Sequence, residues 1–247
     1  MGVERDTSDR EDGRVQNSYS RQWFEVFLDT MPAEWTAAEV ERIERRLPRP
    51  AYRRVLDICS GPGRHAKHLV DKGYDVTGVD RDATAIRQAR ATIPGATFIE
   101  LDQRDLRRLD GVFDAALVLW QSFGYFEAAA NDQVLADIAG CLRPGGRLLL
   151  DLFHPGYFEQ HQGRTTNVRD PRCRAITNRL HGSRLTSTIE YADGSQEAME
   201  WELYTPDALS ARATQAGFKE IERCTWWDEA RQPTAEEQRF QVVFQKL

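Results

Sequence analysis

Over its middle the chain switches repeatedly between two hydrophobic rhythms, and that switching predicts its architecture. Residues 1 to about 17 are polar, charged and without period, which predicts a disordered tail. Apolar density rises from Tyr19, and Trp23, Phe24, Val26, Phe27, Leu28, Met31 and Trp35 describe a helical lead-in. Thr36-Ala37-Ala38-Glu39 has the form of a capping box. A helix is expected to open there, with Val40, Ile43 and Leu47 on one stripe and Pro48 and Pro50 as its stop. Short apolar runs follow at Arg54 to Ile58, Tyr74 to Val79, Thr97 to Leu101, Val112 to Leu119 and Arg147 to Leu152. Helical stripes separate them, at Ala66, Leu69 and Val70, across Asp82 to Ala91, and at Leu135, Ile138 and Leu142. Strand and helix in this order mean βαβ units and a parallel sheet. The fourth run is almost continuously apolar, as suits a strand covered on both faces.

The last third has a different texture. Residues 155–178 show no clear period. Alternation from Leu185 to Tyr191, then Asp193-Gly194, then Met199, Trp201 and Leu203 at period two predict a β-hairpin with a primed turn. Thr205-Pro206 reads as a helix N-cap followed by Pro at the first helical position, and Gly217 as that helix's stop. Ile221 to Trp226 and Phe240 to Lys246 are expected as two closing strands. The reading is α/β: a Rossmann-like, doubly wound, mainly parallel seven-stranded sheet with a small antiparallel β insertion after strand five. It divides the chain into a tail (1–17), a helical cap (18–50), a main domain (51–154 and 204–247) and a β-hairpin insertion (155–203).

Composition changes little in this picture. The 247 residues allow one large domain or two small ones, and the 29% charged fraction is ordinary for a globular chain. A net charge of −6 argues against a nucleic-acid footprint over the whole surface. Cys59, Cys141, Cys173 and Cys224 are dozens of residues apart, which is neither a zinc pattern nor a secreted disulfide framework. No metal is expected. A reduced, cytoplasmic setting is expected, and no apolar run of about 18 residues predicts a membrane span.

The unusual residues fall at strand ends, where an open parallel sheet binds its ligands. The first strand runs into Asp57-Ile58-Cys59-Ser60-Gly61-Pro62-Gly63-Arg64-His65. Its two glycines permit a tight turn and close approach of a ligand, and the turn feeds a helix N-terminus. The second strand ends in Asp80, suited to the two hydroxyls of a ribose. The third ends in Asp102, suited to an adenine amino group. Gly61-Pro62-Gly63-Arg64-His65-Ala66 also fits a dinucleotide fingerprint. Asp57 and Asp102 turn that reading toward an adenosine joined to a short, charged amino-acid tail without a pyrophosphate.

Residues 55–65 with Asp80 resemble the first two motifs of class I S-adenosylmethionine-dependent methyltransferases. Leu101-Asp102-Gln103-Arg104-Asp105-Leu106 resembles their adenine-side motif. Phe113-Asp114 to Tyr125 is similar to the fourth-strand motif of the small-molecule N-methyltransferases, and Leu142-Arg143-Pro144-Gly145-Gly146 to the turn before their fifth strand. The resemblance covers roughly residues 19–154, and more loosely the segment Tyr204 to Phe218. It implies S-adenosyl-L-methionine as cofactor and S-adenosyl-L-homocysteine as product, with methyl transfer to a nitrogen or oxygen of a small molecule. It implies that the Cys59–Gly63 backbone holds the methionine portion and that Asp57 anchors the loop and reaches the amine through water. Asp80 takes the ribose, Arg81 lies beside the adenine, Asp102 and the Gln103 N–H meet the adenine, and the Leu119 carbonyl lies near the amine. Where the family often carries an Arg for the methionine carboxylate, this chain has Glu34-Trp35-Thr36. Tyr19, Trp23, Thr36 and Arg64 are the candidates left for that role.

Trp120, Gln121, Tyr125, His154 and Tyr157 are nominated for the acceptor pocket, with His154 the candidate base and Tyr125 a second catalytic candidate; a loop hydrogen bond is as good a reading of His154. His65 and His68 read as surface or packing residues. Arg164, Arg169, Arg172, Arg174, Arg179 and Arg184 stand against a single carboxylate, Asp170, across residues 161–184. They form either a solvated face or a surface for an anionic acceptor. The insertion reads as a lid, a homodimer contact, or both. No nucleic acid or membrane partner is expected. Two other functions fit the same residues: a nicotinamide-dependent oxidoreductase using the Gly61–Ala66 loop, and a non-catalytic module that binds S-adenosylmethionine.

Overall fold

A computed structural model describes residues 10, 11, 14, 15, 17, 19–166 and 168–247. The strands are β1 (Arg10–Glu11), β2 (Arg14–Val15), β3 (Arg54–Ile58), β4 (Asp75–Asp80), β5 (Thr97–Glu100), β6 (Phe113–Val118), β7 (Leu142–Phe153), β8 (Gly163–Thr165), β9 (Cys173–His181), β10 (Arg184–Tyr191), β11 (Gln196–Glu202), β12 (Phe218–Cys224) and β13 (Arg239–Lys246). The helices are α1 (Arg21–Trp23), α2 (Ala33–Arg46), α3 (Arg64–Asp71), α4 (Ala83–Thr92), α5 (Ala128–Cys141), α6 (Pro155–Gln160) and α7 (Pro206–Gln215). A π-helical turn, Phe24–Leu28, continues α1, and a 3-10 helix spans Gln103–Arg108.

Seven strands form one sheet in the order β12-β13-β7-β6-β3-β4-β5. β5, β4, β3, β6 and β7 are parallel, while β13 runs antiparallel to both β7 and β12. Side chains alternate between its faces. Leu56, Ala116, Leu148 and Val242 pack in one core with α5 and α7, whereas Val55, Ala115, Leu149 and Val243 pack in another with α2, α3 and α4. This two-faced burial is why these strands read as continuous apolar runs. The order reverses between β3 and β6, and the loops leaving their carboxyl ends flank that crevice.

The insertion is larger than a hairpin: β11-β10-β9-β8 make a four-stranded antiparallel sheet. Residues 155–178, without visible period, hold α6, β8 and the start of β9. The turn joining β10 to β11 is not a primed two-residue turn. Gly194 alone there has positive φ, and Tyr191 N–H closes a three-residue loop on the Ser195 carbonyl at 2.9 Å. Leu185, Ile189, Tyr191, Met199 and Trp201 of this sheet bury a third core against Val26, Tyr19 and Trp23.

The expected tail lies mostly outside the described residues, but its described part is engaged. β1 pairs with β2, and Asn17 is 4% exposed. Helix α2 opens at Ala33, one turn before the expected capping box, and Pro32 offers no side-chain cap. Thr36 and Glu39 are therefore interior helix residues, released from capping for another task. Thr205 does cap α7, accepting from Ala208 N–H at 3.2 Å. Among the described residues no helix is long and apolar enough to cross a membrane.

Candidate cofactor and acceptor site

After β3 the backbone turns through Cys59 (φ 58°) and Gly61 (φ 53°) into the N-terminus of α3. A left-handed Cys costs energy, so the surrounding structure must impose it. Asp80 does part of that: Oδ2 accepts from Gly61 N–H at 2.8 Å and Oδ1 from Asp82 N–H at 2.9 Å. Nothing lies within 4 Å of where a Gly61 Cβ would stand, so the turn faces open space. Asp57 sits in register with Gly78 and Leu117, 3% exposed, and its Oδ2 has no hydrogen-bond partner. Burial pushes its carboxyl up to about 7, against the pull of Arg64, with nearby Asp80 adding to the rise. Burial raises Asp80 as well. Ser60 Oγ is a second buried atom without a partner. A buried carboxylate oxygen left unpaired is costly unless a ligand completes it.

Asp102 caps the 3-10 helix through Arg104 N–H and takes the Arg104 guanidinium on both oxygens, at 3.1 and 3.0 Å. Burial works upward on this carboxyl, but the Arg104 bonds outweigh it and hold the group below the usual range. Gln103 is buried, its amide donating to Cys59 Sγ at 3.5 Å, so it ties the adenine-side loop to the glycine turn.

Beyond β6, Trp120 (φ 56°) and Gln121 (φ 60°) are consecutive left-handed residues after buried Leu119. Asp151 of β7 holds this turn: its carboxylate accepts from Trp120 N–H at 3.2 Å and its carbonyl from Gln121 N–H at 3.0 Å. Arg239 and Gln241 of β13 fix that carboxylate in turn. Gln121 is 2% exposed and its amide is bound on both ends, to the Phe123 carbonyl and the Phe153 N–H. The structure thus gives Gln121 the part of a brace rather than the acceptor contact expected of it. The Trp120 indole lies between the Arg64 and Arg239 guanidiniums, 4.7 and 4.9 Å from its ring centroid, and its N–H donates to Glu39 at 3.0 Å. Glu39 also bonds His65 at 3.0 Å and Arg64 at 3.1 Å. His65 is a packing residue of the interior; His68 is not part of this cluster.

The N-terminal segment forms the far wall. The Asn17 side chain makes two 2.7 Å bonds to the Glu200 backbone in β11, and the Arg81 guanidinium donates to the Asn17 carbonyl. One residue therefore joins the ribose end of the sheet to the insertion. Tyr19 and Tyr125 meet hydroxyl to hydroxyl at 2.7 Å, with the Trp23 ring tilted 56° against Tyr19 at 4.5 Å. Desolvation raises both phenols, so they stay protonated near neutrality. A cleft of about 300 Å³ between this segment and the insertion, lined by Tyr19, Gln22, Tyr191 and Glu197, shares only Tyr19 with the site.

His154 stands apart from these groups. Its ring is edge-on to Phe240 at 5.9 Å, its Nδ1 is buried without a partner, and burial lowers its pKa. Among the described residues no hydrogen bond or ring contact joins it to Tyr19, Tyr125 or Trp120. Tyr157 stacks on His161 at 3.9 Å. Sequence reasoning missed Asn17, Glu39, Asp151, Arg239 and Trp201, whose buried indole N–H lacks a partner beside Phe153. A signal existed for Asp151, a lone charge inside Leu148-Leu149-Leu150-Asp151-Leu152. Asn17 and Arg239 carried none.

The chain is similar to known proteins in sequence and fold. A family model described as a methyltransferase domain matches residues 55–146. The glycine/sarcosine N-methyltransferase of Parasynechococcus marenigrum (strain WH8102) is 32% identical over 149 residues, covering 56% of this chain and 53% of that protein. The chain spans about half the length of the first curated relatives it matches. An S-adenosylmethionine-dependent methyltransferase structure from Clostridium acetobutylicum superposes with a TM-score of 0.75 at 14% identity, covering 91% of this chain and 96% of that one. The SAM-bound amino pentose methyltransferase of Micromonospora echinaspora superposes at 0.67 with 20% identity, covering 94% and 99%.

Proposed function

We propose that this chain, which has the class I methyltransferase fold and carries a methyltransferase domain, transfers the methyl group of S-adenosyl-L-methionine to a nitrogen of a small-molecule acceptor. The buried, unpartnered Asp57 carboxylate beside the open Gly61 turn carries this reading. A pyrophosphate would be repelled there, whereas an amino-acid ammonium completes the missing bond. The residues present fit the cofactor: Asp57 for the ammonium, Asp80 for the ribose hydroxyls, Asp102 and Gln103 for the adenine side.

S-adenosylmethionine brings an already activated methyl, so the protein's work is alignment and exclusion of water. The cap, the strained Trp120–Gln121 turn and the insertion sheet enclose the region beside the glycine turn. Tyr19 and Tyr125 are protonated phenols, unable to act as bases near neutrality but able to accept and donate hydrogen bonds that orient an amine lone pair. The His154 ring packs edge-on to Phe240 with its Nδ1 buried, which supports nitrogen over a hydroxyl oxygen, since a hydroxyl acceptor usually needs a base. The name of the glycine/sarcosine N-methyltransferase points the same way.

The test has two arms. Saturating S-adenosylhomocysteine, at 100-fold over its dissociation constant, should add about 2.7 kcal/mol to stability, and NADH should add nothing. Labelled S-adenosylmethionine with a panel of amines, amino sugars and hydroxylated metabolites should transfer label to an amine. Stabilisation by NADH alone overturns the cofactor; transfer only to oxygen overturns the acceptor class.

A further inference from the structure

The methionine portion carries a carboxylate as well as an ammonium, and this inference rests on the cofactor reading above. A carboxylate in a half-buried crevice needs a cation with free donors. The arginines around the crevice differ in what remains free. Arg239 is committed to Asp151 through two nitrogens, Arg104 to Asp102, and Arg81 to the Asn17 carbonyl.

Arg64 is held differently. It is the first residue of α3, directly after the glycine turn. Its Nη1 alone donates all three of its hydrogen bonds, to Thr36 Oγ1 at 2.7 Å, Met31 Sδ at 3.0 Å and Glu39 Oε2 at 3.1 Å. Among the described residues Nε and Nη2 have no hydrogen-bond partner, and the side chain keeps 15% exposure. The guanidinium carbon stands over the Trp120 ring at 4.7 Å from its centroid, a cation–π contact, and the group is near enough to Asp57 to act on its charge. One corner is pinned and one edge is left open. An Nε–Nη2 edge is the fork that matches a carboxylate with two parallel hydrogen bonds.

We propose that the Nε–Nη2 edge of Arg64 receives the methionine carboxylate of the cofactor, and that Thr36, Glu39 and the Trp120 ring are the positioning residues that aim it. The chain thus draws this cation from the glycine-turn helix rather than from the helix preceding β3. Glu39 links the aim to the acceptor side, because the same carboxylate holds the Trp120 indole.

The test is titration calorimetry of the full chain with two ligands. One is S-adenosylmethionine; the other is decarboxylated S-adenosylmethionine, which keeps the nucleoside, sulfonium and ammonium. Wild type should prefer S-adenosylmethionine by about 30-fold or more, the size expected of charge-assisted bonds. Arg64→Met should reduce that preference to about twofold or less while leaving the affinity for the decarboxylated ligand within about threefold of wild type. Arg64→Lys, which keeps the charge and loses the fork, should fall between, and it carries the test if Arg64→Met does not fold. Equal weakening of both ligands by either variant, or an unchanged preference, overturns the assignment and leaves the cofactor reading standing. Binding of neither ligand by wild type overturns both.

Discussion

At the ends of β3 and β4 the protein keeps a charged group buried and unpaired, whereas across the insertion sheet it pairs its charges with one another. Asp57 Oδ2 has no partner. In the insertion Arg164 meets Glu190 at 2.8 Å, Arg172 meets Asp170 at 2.8 Å, and Arg184 meets both Glu127 and Glu200 at 2.9 Å. Arg169 lies over the Trp35 ring. The run of arginines is conspicuous in the sequence and the single aspartate is not. The physics ranks them in the opposite order. A solvated ion pair gains little and asks for nothing further. A desolvated carboxyl with an open oxygen is met either by a proton or by a bound cation.

The hardest blow to that contrast is Asp57→Asn. Losing one partner of a buried charge pair costs about 2–5 kcal/mol, so S-adenosylhomocysteine affinity should fall at least 30-fold by calorimetry. The unliganded protein should be no less stable and, above neutrality, more stable. A carboxyl with its native pKa near 7 favours the fold while protonated. That contribution is complete below the unfolded value of about 4 and is lost as pH rises through 7. Urea melts of the variant at pH 5 and pH 8 read this directly, and equal destabilisation at both values would make Asp57 an ordinary structural residue.

Wild type sharpens the same point through pH. An ammonium is held by the ionised carboxylate, so affinity should rise about tenfold per unit up to pH 7 and then level off. Binding at pH 6 should release a proton, visible as a heat that depends on the buffer's ionisation enthalpy. Asp57→Asn should flatten the profile. A flat wild-type profile between pH 5 and 7 would place the ammonium elsewhere.

The seam between the two regions is testable as well. Gly124 has φ +93°, its carbonyl accepts from Glu202 N–H at 2.7 Å, and a Cβ would stand 2.3 Å from the Glu202 carbonyl oxygen. Gly124→Ala combines backbone strain with that clash and should cost roughly 1–3 kcal/mol. It should also weaken acceptor binding more than cofactor binding, because it separates the Tyr125 loop from β11 while leaving the glycine turn intact. Equal weakening of both would mean that the insertion and the cofactor crevice move as one body.

Why one region was legible and the other not follows from what each constrains. Asp57, Gly61, Asp80 and Asp102 are local: each stands at a strand end fixed by its own run of apolar residues, so spacing along the chain reports spacing in the site. The parallel sheet was legible for the same reason, since both faces of β3, β6 and β7 are buried. Thr36 and Glu39 misled as a capping box because their motif is local, while their partners, Arg64, His65 and Trp120, come from elsewhere in the chain. His154 sits at the right strand end, but its ring packs onto Phe240, and strand position does not report rotamer. Asn17 reaches Glu200 across 183 residues, a contact that no window of sequence contains.

The smallest expected effect is the one the bare sequence would rank high. Arg172 donates to Asp170 through two nitrogens and to the Glu25 carbonyl at 2.7 Å, and Arg174 reaches the Ala192 carbonyl at 3.5 Å. These bonds tie the loop before β9 to the N-terminal segment and the start of β9 to the β10–β11 connection, on exposed side chains. Reversing both charges, Arg172→Glu with Arg174→Glu, removes surface pairs whose energies are screened by water and salt. Acceptor KM and cofactor affinity should both stay within about twofold of wild type, a change typical of exposed pairs. A large rise in acceptor KM, relieved by moderate salt, would return the arginines to the binding surface and mark the acceptor as an anion. The contrast drawn from Asp57 predicts that this rise is not seen: a charge already answered by its own chain has little left with which to hold a substrate.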